Sequence, residues 1–445
     1  MRGGRAPGSD RRRAVERARR RAVVLAALAA AAFILAACGG SAPGPPAPPP
    51  GTTSTPAAVA TPTAGSTPVP TVTSDAAELQ ALLDRRAAAL DAAAAAPYAR
   101  TSAASGRAGD RSAVANARPL GVRDVALTAE DVQLAGRRAR LRVRLAYGVK
   151  GVRGSFGGVR TERARRTASG WRLIGLAGTR DRQPWEADAY ARTATTHFVI
   201  WMPAGLDPGP LPAALEQGYG LMRKALSALR LRRRYLVVVA RDAAHARTLT
   251  RQIAGLDGLT ALTDTEVRQT GDAERVTSVA SQRLLVVWPN FVSLDGERQT
   301  TTVTHELTHA ALAPRTSGRL PGWLAEGTAM YVSGDDRSDE AAQLLQQPVL
   351  TLRRALSLRA LSRPDALGRL GGEDQRAAYA YASAAAHRVV AVYGRAALLR
   401  LYDAFSRDDV RGRRGDPVLT DAALRQALGV SLARFERGLR RSLSN

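Results

Sequence analysis

Thr304-His305-Glu306-Leu307-Thr308-His309 sets two histidines four residues apart, with a glutamate directly after the first, in a chain that has only 5 histidines among 445 residues. Side chains four apart leave a helix on one face. Both imidazoles can therefore reach one metal ion, and Glu306, one position along, can reach a water on that ion. The chemistry this spacing supports is metal-assisted hydrolysis, in which a metal activates water and a carboxylate takes its proton. A catalytic zinc ion (Zn2+) takes three protein ligands and keeps one position open. A third ligand must therefore come from elsewhere in the chain.

The elements that position these residues can be read around them. Thr300, Thr301 and Thr302 offer N-cap oxygens for a helix that Pro314 stops. Val303, Leu307 and Ala310 form its packing stripe, while His305 and His309 line the other. Glu326, in Pro321-Gly322-Trp323-Leu324-Ala325-Glu326-Gly327, is the candidate third ligand. Pro321 suits the first turn of a second helix and Gly334 suits its end. Trp323, Glu326 and Met330 share one face of it. An antiparallel helix pair joined by residues 314–320 returns Glu326 to the two histidines. Asp335, Asp336 and Glu340 are rival ligands, but they lie past the predicted helix end. His197 and His245 have no ligand partner at a useful spacing and are read as structural.

His305-Glu306-x-x-His309 followed by Trp323-Leu324-x-Glu326-Gly327 resembles a gluzincin, and within that group it is similar to the bacterial peptidase-MA-like domains. The likeness runs from about His197 to Tyr393-Gly394. The metzincin pattern is excluded, because Leu312 and Arg315 stand where its Gly and third His belong. The resemblance implies that His305, His309 and Glu326 bind zinc, that Glu306 is the general base, and that the substrate is a peptide or protein. A second oxyanion donor is expected, often a Tyr or His. Tyr379 and Tyr381 are two residues apart, so on a helix at most one faces the metal. Similar domains carry a Tyr upstream of a Tyr-Gly pair, which Tyr379 before Tyr393-Gly394 matches. His387 is a third candidate, and the sequence leaves the choice open.

The N-terminus carries a second kind of signal. Arginines run from Arg2 to Arg21, an uncharged apolar stretch follows, and Leu35-Ala36-Ala37-Cys38 closes it. This is the build of an export signal, and Leu35 to Cys38 resembles a bacterial lipobox. That resemblance implies cleavage before Cys38 and lipidation of its thiol, anchoring the chain to the extracytoplasmic face of the cell membrane. An uncleaved signal anchor is the alternative. Cys38 is the 1 cysteine in the chain, so internal disulfides are excluded.

Residues 38–73 are rich in Pro, Thr and Ser and read as an extended stalk. Leu79, Leu82, Leu83 and Leu90 then give a helical stripe, with Asp75 and Glu78 at capping-box spacing. Ala139, Leu141, Val143, Leu145 and Tyr147 alternate with Arg138, Arg140, Arg142, Arg144 and Ala146, a strand with one face in water. A further strand follows Ser169-Gly170. Helix first and sheet second, with Gly170-Trp171 and Pro184-Trp185-Glu186, resembles the nuclear-transport-factor-2-like fold; the resemblance implies an accessory domain. Beyond it, Phe198 to Trp201, Tyr235 to Val239 and Leu284 to Trp288 read as strands, with a helix over Leu211 to Leu229. The hydrophobicity of Leu284 to Trp288 fits a central strand.

The formal net charge is +26, almost all of it from arginine spread along the chain. No nucleic-acid recognition module accompanies it, so nucleic acid is set aside as a partner. The fold class expected is α+β. Residues 1–37 form the signal, 38–73 the linker, 74–187 the accessory domain and 190–445 a zincin-like peptidase domain of mixed α/β type, helical at its C-terminal part. The expected function is a membrane-anchored zinc metallopeptidase. The alternatives are a non-catalytic lipoprotein with a structural or vestigial zinc site, and a binder of anionic cell-envelope polymers.

Overall fold

Leu79, Leu82, Leu83 and Leu90 are buried along one stripe of the first helix, α1 (Val72–Asp91), as their spacing predicts. The computed structural model describes residues 72–178, 182–250, 258–346, 356–410 and 412–444. The expected signal, its lipobox and Cys38 lie outside the described residues, as does the linker up to residue 71. Among the described residues no helix is long and apolar enough to cross a membrane. Helices and strands are mixed around two sheets, an organisation compatible with the expected α+β class.

Helices α1, α2 (Ala95–Arg100) and α3 (Arg107–Leu120) precede a four-stranded antiparallel sheet, β1 (Val122–Ala135), β2 (Arg138–Val149), β3 (Val152–Thr167) and β4 (Gly170–Leu176), ordered β1-β2-β3-β4. On β2 the predicted alternation holds: Ala139, Leu141, Val143, Leu145 and Tyr147 are buried, and Arg138, Arg140 and Arg142 are exposed. Asp75 does not form the expected cap. Helix α1 begins at Val72, and the Asp75 carboxylate instead accepts from Trp171 Nε1 at 3.0 Å and pairs with Arg166. Two arginines enter this part of the core and each meets carboxylates: Arg160 lies 2.7 Å from Glu162 and 2.8 Å from Glu186, and Arg86 lies 2.7 Å from Asp110. A buried charge without such partners would be costly.

After the short α4 (Pro184–Ala187) comes a second sheet of β5 (Tyr190–Ala194), β6 (Phe198–Pro203), β7 (Tyr235–Ala240), β8 (Ala261–Thr270) and β9 (Arg275–Val287), ordered β5-β6-β7-β9-β8. The joins β6–β7 and β7–β9 are parallel; β5 and β8 close the edges antiparallel. Strands β6 and β7 are buried on both faces, which is why they read as unbroken apolar runs. Strand β9 begins at Arg275, well before the expected Leu284, and is central as expected.

The two faces of this sheet serve different partners. Ile200, Val237 and Leu284 pack into a helical core built from α5 (Leu211–Ala225), α8 (Gly296–Leu312), α9 (Gly322–Ser333), α11 (Gly372–Tyr393) and the C-terminal helices α12 (Ala396–Phe405), α13 (Pro417–Leu428) and α14 (Leu432–Ser444). The shorter α6 (Ala243–Leu249), α7 (Trp288–Val292) and α10 (Ser338–Leu345) fill the connections. Val199, Trp201, Leu236, Val238 and Leu285 point the other way and join the core of the first sheet. Trp201 sits at the junction. Its ring centroid is 6.3 Å from that of Tyr147 and 6.1 Å from that of Trp185, and its Nε1 donates to the Leu120 carbonyl at 3.2 Å. The change of element pattern near residue 188 is therefore not a break between cores.

Candidate metal centre

Helix α8 carries the two histidines, and its start differs from the threonine cap read in the sequence. Asp295 is the N-cap, accepting from Arg298 N at 2.9 Å, so the helix begins one turn earlier. Thr300, Thr304 and Thr308 lie inside it and donate back to the carbonyls of Gly296, Thr300 and Thr304 at 3.0, 2.6 and 2.8 Å. The hydroxyls of Thr304 and Thr308 are thereby satisfied within the helix, while that of Thr300 also lies 3.2 Å from Gln217 Oε1 of α5. Val303, Leu307 and Ala310 are buried in the helical core as expected. Gly218 of α5 lets α8 approach closely, because a Cβ there would meet Thr304 Oγ1 at 2.8 Å.

Helix α9 runs from Gly322 to Ser333, with Pro321 at its N-cap and Gly334, in the left-handed region at φ 78°, at its C-cap. It returns Glu326 to the histidines. His305 Nε2 and His309 Nε2 are 3.0 Å apart, and Glu326 Oε2 lies 3.3 Å from the first and 3.6 Å from the second. The three residues form a group whose ligand atoms all lie within 4.8 Å of one another and could hold a metal ion. The rivals are occupied elsewhere. Asp335 lies 2.7 Å from Arg337, Asp336 accepts from Ser338 N at 2.9 Å, and Glu340 lies 2.7 Å from Arg376.

The donor set fits a divalent cation. Glu326 Oε2 is buried and has no hydrogen-bond partner. Burial opposes ionisation of this carboxyl, yet the His309 and His305 imidazoles outweigh it and hold it below the usual carboxylate range. A buried carboxylate oxygen without a hydrogen bond, facing two imidazole nitrogens, is an arrangement that a divalent cation would complete. Two imidazoles and a carboxylate make a ligand set suited to zinc.

Glu306 is buried beside the group, and burial pushes its carboxyl upward against the pull of His305 and His309. Its backbone carbonyl accepts from Thr263 Oγ1 at 2.6 Å, which ties α8 to the edge strand β8.

The geometry separates the three donor candidates that the sequence left open. Tyr379 is buried on α11, its hydroxyl has no hydrogen-bond partner, and burial together with the Glu326 and Glu306 carboxylates pushes that hydroxyl well above its ordinary value. Tyr381 points away, donating to Glu436 at 3.4 Å with Arg440 over its ring. His387 is held by the Ser383 carbonyl at 2.9 Å and stacks edge-on against Tyr331. His197 has a partner that its spacing did not reveal: its Nδ1 donates to Glu216 at 2.6 Å. His245 lies in the first turn of α6, outside the His305–His309–Glu326 group, and its backbone N–H donates to Asp242 Oδ1 at 2.7 Å.

Two features escaped the sequence reading. Strand β8, with Thr263, is polar over most of its length and gives no strand pattern. Gly327 was visible beside Glu326, but only the helix crossing explains it: a Cβ there would sit 2.2 Å from the Ala382 carbonyl oxygen. No protein-family model matches the chain, and neither does any curated protein or solved structure.

Proposed function

We propose that the protein is a zinc-dependent metallopeptidase of gluzincin type, held at the extracytoplasmic face of the membrane by a lipid on Cys38. The observation that carries the enzymatic reading is the convergence of His305, His309 and Glu326 with Glu306 and Tyr379 gathered around them. A structural zinc site closes its coordination with a fourth protein ligand, whereas this group offers three among the described residues and leaves a position for water.

His305, His309 and Glu326 would hold the ion. Zinc in that position supplies a Lewis acid for the scissile carbonyl and makes a water nucleophile available near neutral pH. Glu306 takes a proton from the attacking water and passes it to the amine nitrogen as the C–N bond breaks. Its burial beside the two histidines places it to accept and then release that proton. Tyr379 stays protonated at neutral pH and donates a hydrogen bond to the oxygen that gains charge. Asp335 and Arg337, paired next to α11, fix the end of α9 by a backbone contact from Arg337 N to Ser383 Oγ at 3.2 Å. The anchoring and the zincin-like fold rest on the lipobox and motif resemblances.

The test is a comparison of wild type with Glu306→Gln. Both should carry one zinc by elemental analysis, and only wild type should cleave a peptide library at neutral pH. Equal cleavage by the two proteins, or a correctly folded wild type that takes up no zinc, would overturn the reading.

A further inference from the structure

Register places arginines directly against arginines on the outer face of the first sheet. Arg138 pairs across strands with Arg165, Arg165 with Arg172, and Arg140 with Arg163. Directly opposed residues share a face, with strands about 4.8 Å apart, so these five guanidinium groups form a grid across β2, β3 and β4. Like charges directly opposite destabilise a sheet. Arginines of the same strands that face inward, Arg160 and Arg166, all meet carboxylates. Towards one end of the outer face Glu130 neutralises Arg142 and Arg144. The five of the grid have no carboxylate partner among the described residues. Arg163 reaches only the Leu176 carbonyl, and Arg172 only the Trp171 carbonyl and Ser169. Beside the grid opens a recess of about 460 Å3 lined by Arg140, Arg142, Val159, Thr161, Gln133 and Asp131.

We propose that this face binds a linear phosphate-bearing polymer. Guanidinium forks match phosphate oxygens bidentately. A grid across three strands exceeds what one isolated phosphate can cover, whereas a chain with a charge on every repeat meets all of it. The face carries no aromatic residue, which a protein interface would place at its centre. A bilayer surface is flat, and a twisted sheet with a recess follows a chain more closely than a plane. The inference does not depend on the metal site.

The experiment uses the full chain in a neutral detergent, with linear inorganic polyphosphate as the probe. One variant removes the grid by Arg→Gln at Arg138, Arg140, Arg163, Arg165 and Arg172. A second removes the same charge elsewhere: Arg223, Lys224, Arg230, Arg434 and Arg437, all exposed, become Gln. The grid variant should lose about tenfold or more in affinity and its salt slope should flatten by about one for each lost phosphate contact, while the control changes by less than about twofold. Without ligand the grid variant should unfold at the same temperature or higher, and polyphosphate should raise the midpoint of wild type only. Equal losses in the two variants would overturn the proposal, since net charge alone would then bind. So would grid-dependent binding of phosphatidylglycerol mixed micelles with polyphosphate binding unchanged, or equal grid-dependent binding of polyglutamate.

Discussion

Gly327 of α9 lies against the Ala382 carbonyl of α11 so closely that a Cβ on the glycine would stand 2.2 Å from that oxygen. Gly327 follows Glu326 directly, and Ala382 is three residues past Tyr379 on the same helix face. One contact between helices therefore sets the distance from a metal-ligand candidate to the tyrosine proposed as oxyanion donor.

Gly327→Ala should force the helices apart. Overpacking of this kind costs about 1–3 kcal/mol, so urea unfolding should move to lower concentration, and zinc affinity should fall with it. Gly220→Ala is the control, because nothing lies within 4 Å of its added Cβ and the site is exposed in α5. An alanine inside a helix is favoured over glycine by about 0.5–1 kcal/mol. If Gly327→Ala matched that control in stability and zinc binding, the crossing would not be what positions Glu326.

Zinc removal should weaken the fold as well as abolish hydrolysis. The ion would complete Glu326 Oε2, which makes no hydrogen bond and faces the Nε2 atoms of His305 and His309. A ligand that binds only the folded state stabilises it by about 2.7 kcal/mol at a hundredfold excess over its Kd. Chelation should therefore lower the thermal midpoint of wild type, and Glu326→Ala should abolish that difference. A midpoint indifferent to chelator and zinc in wild type would remove the metal from the account.

Tyr379→Phe should lower kcat by about a hundredfold or more, the effect of losing one donor to a developing oxyanion, with KM and zinc content little changed. Tyr381→Phe should leave kcat alone, because its hydroxyl is directed at Glu436. His387→Ala should behave like Tyr381→Phe. Steady-state kinetics on the three variants decides among residues that the linear sequence could not separate.

What was legible in the chain and what was not divides along physical lines. The period of a helix depends only on local geometry, so His305 and His309 could be put on one face and Gly334 at a helix end without further knowledge. Strands β6, β7 and the end of β9 were legible because burial on both faces demands unbroken apolar runs. Strand β8 was not, since an edge strand with an exposed face can be polar. Strand β1 was hidden for a related reason: its register shifts interrupt the alternation. Thr300 has the residue type of a cap for α8, but its hydroxyl turns back onto Gly296 and Asp295 caps the helix instead. Which of Tyr379 and Tyr381 lies toward the Glu326 and Glu306 carboxylates depends on the α9–α11 crossing, which no spacing in the chain encodes. The partner of His197 was invisible, because Glu216 arrives from a helix that only the tertiary fold brings near.

Glu216 supplies a pH dependence away from the metal. Its carboxylate accepts from Thr195 Oγ1 at 2.5 Å, from His197 N at 2.8 Å and from His197 Nδ1 at 2.6 Å. Burial opposes its ionisation, and these Thr195 and His197 contacts overcome it, so the folded carboxyl sits below its usual range. A depressed acid stabilises the fold above its unfolded pKa, about 4.3 for glutamate, and the contribution is lost as pH falls through the folded value. The urea midpoint of Glu216→Gln should therefore lie below that of wild type at pH 7 and approach it as the pH is lowered past that range. A gap that stayed constant with pH would show that the contacts act by shape and not by charge.

Trp201 carries the last prediction, because it belongs to the second sheet yet packs in the core of the first. Its ring meets Tyr147 and Trp185, and its Nε1 binds the Leu120 carbonyl. A core shared in this way cannot melt on one side only, since unfolding the first sheet would expose Val199, Trp201, Leu236 and Val238 together. Heating or urea should give a single transition, with loss of near-ultraviolet dichroism and loss of zinc at the same midpoint. Trp201→Ala should cost about 3–5 kcal/mol and shift both signals together. Two separated transitions in wild type, with zinc retained after the first, would mean that the sheets are independent and that the accessory part can be removed without harm to the metal centre.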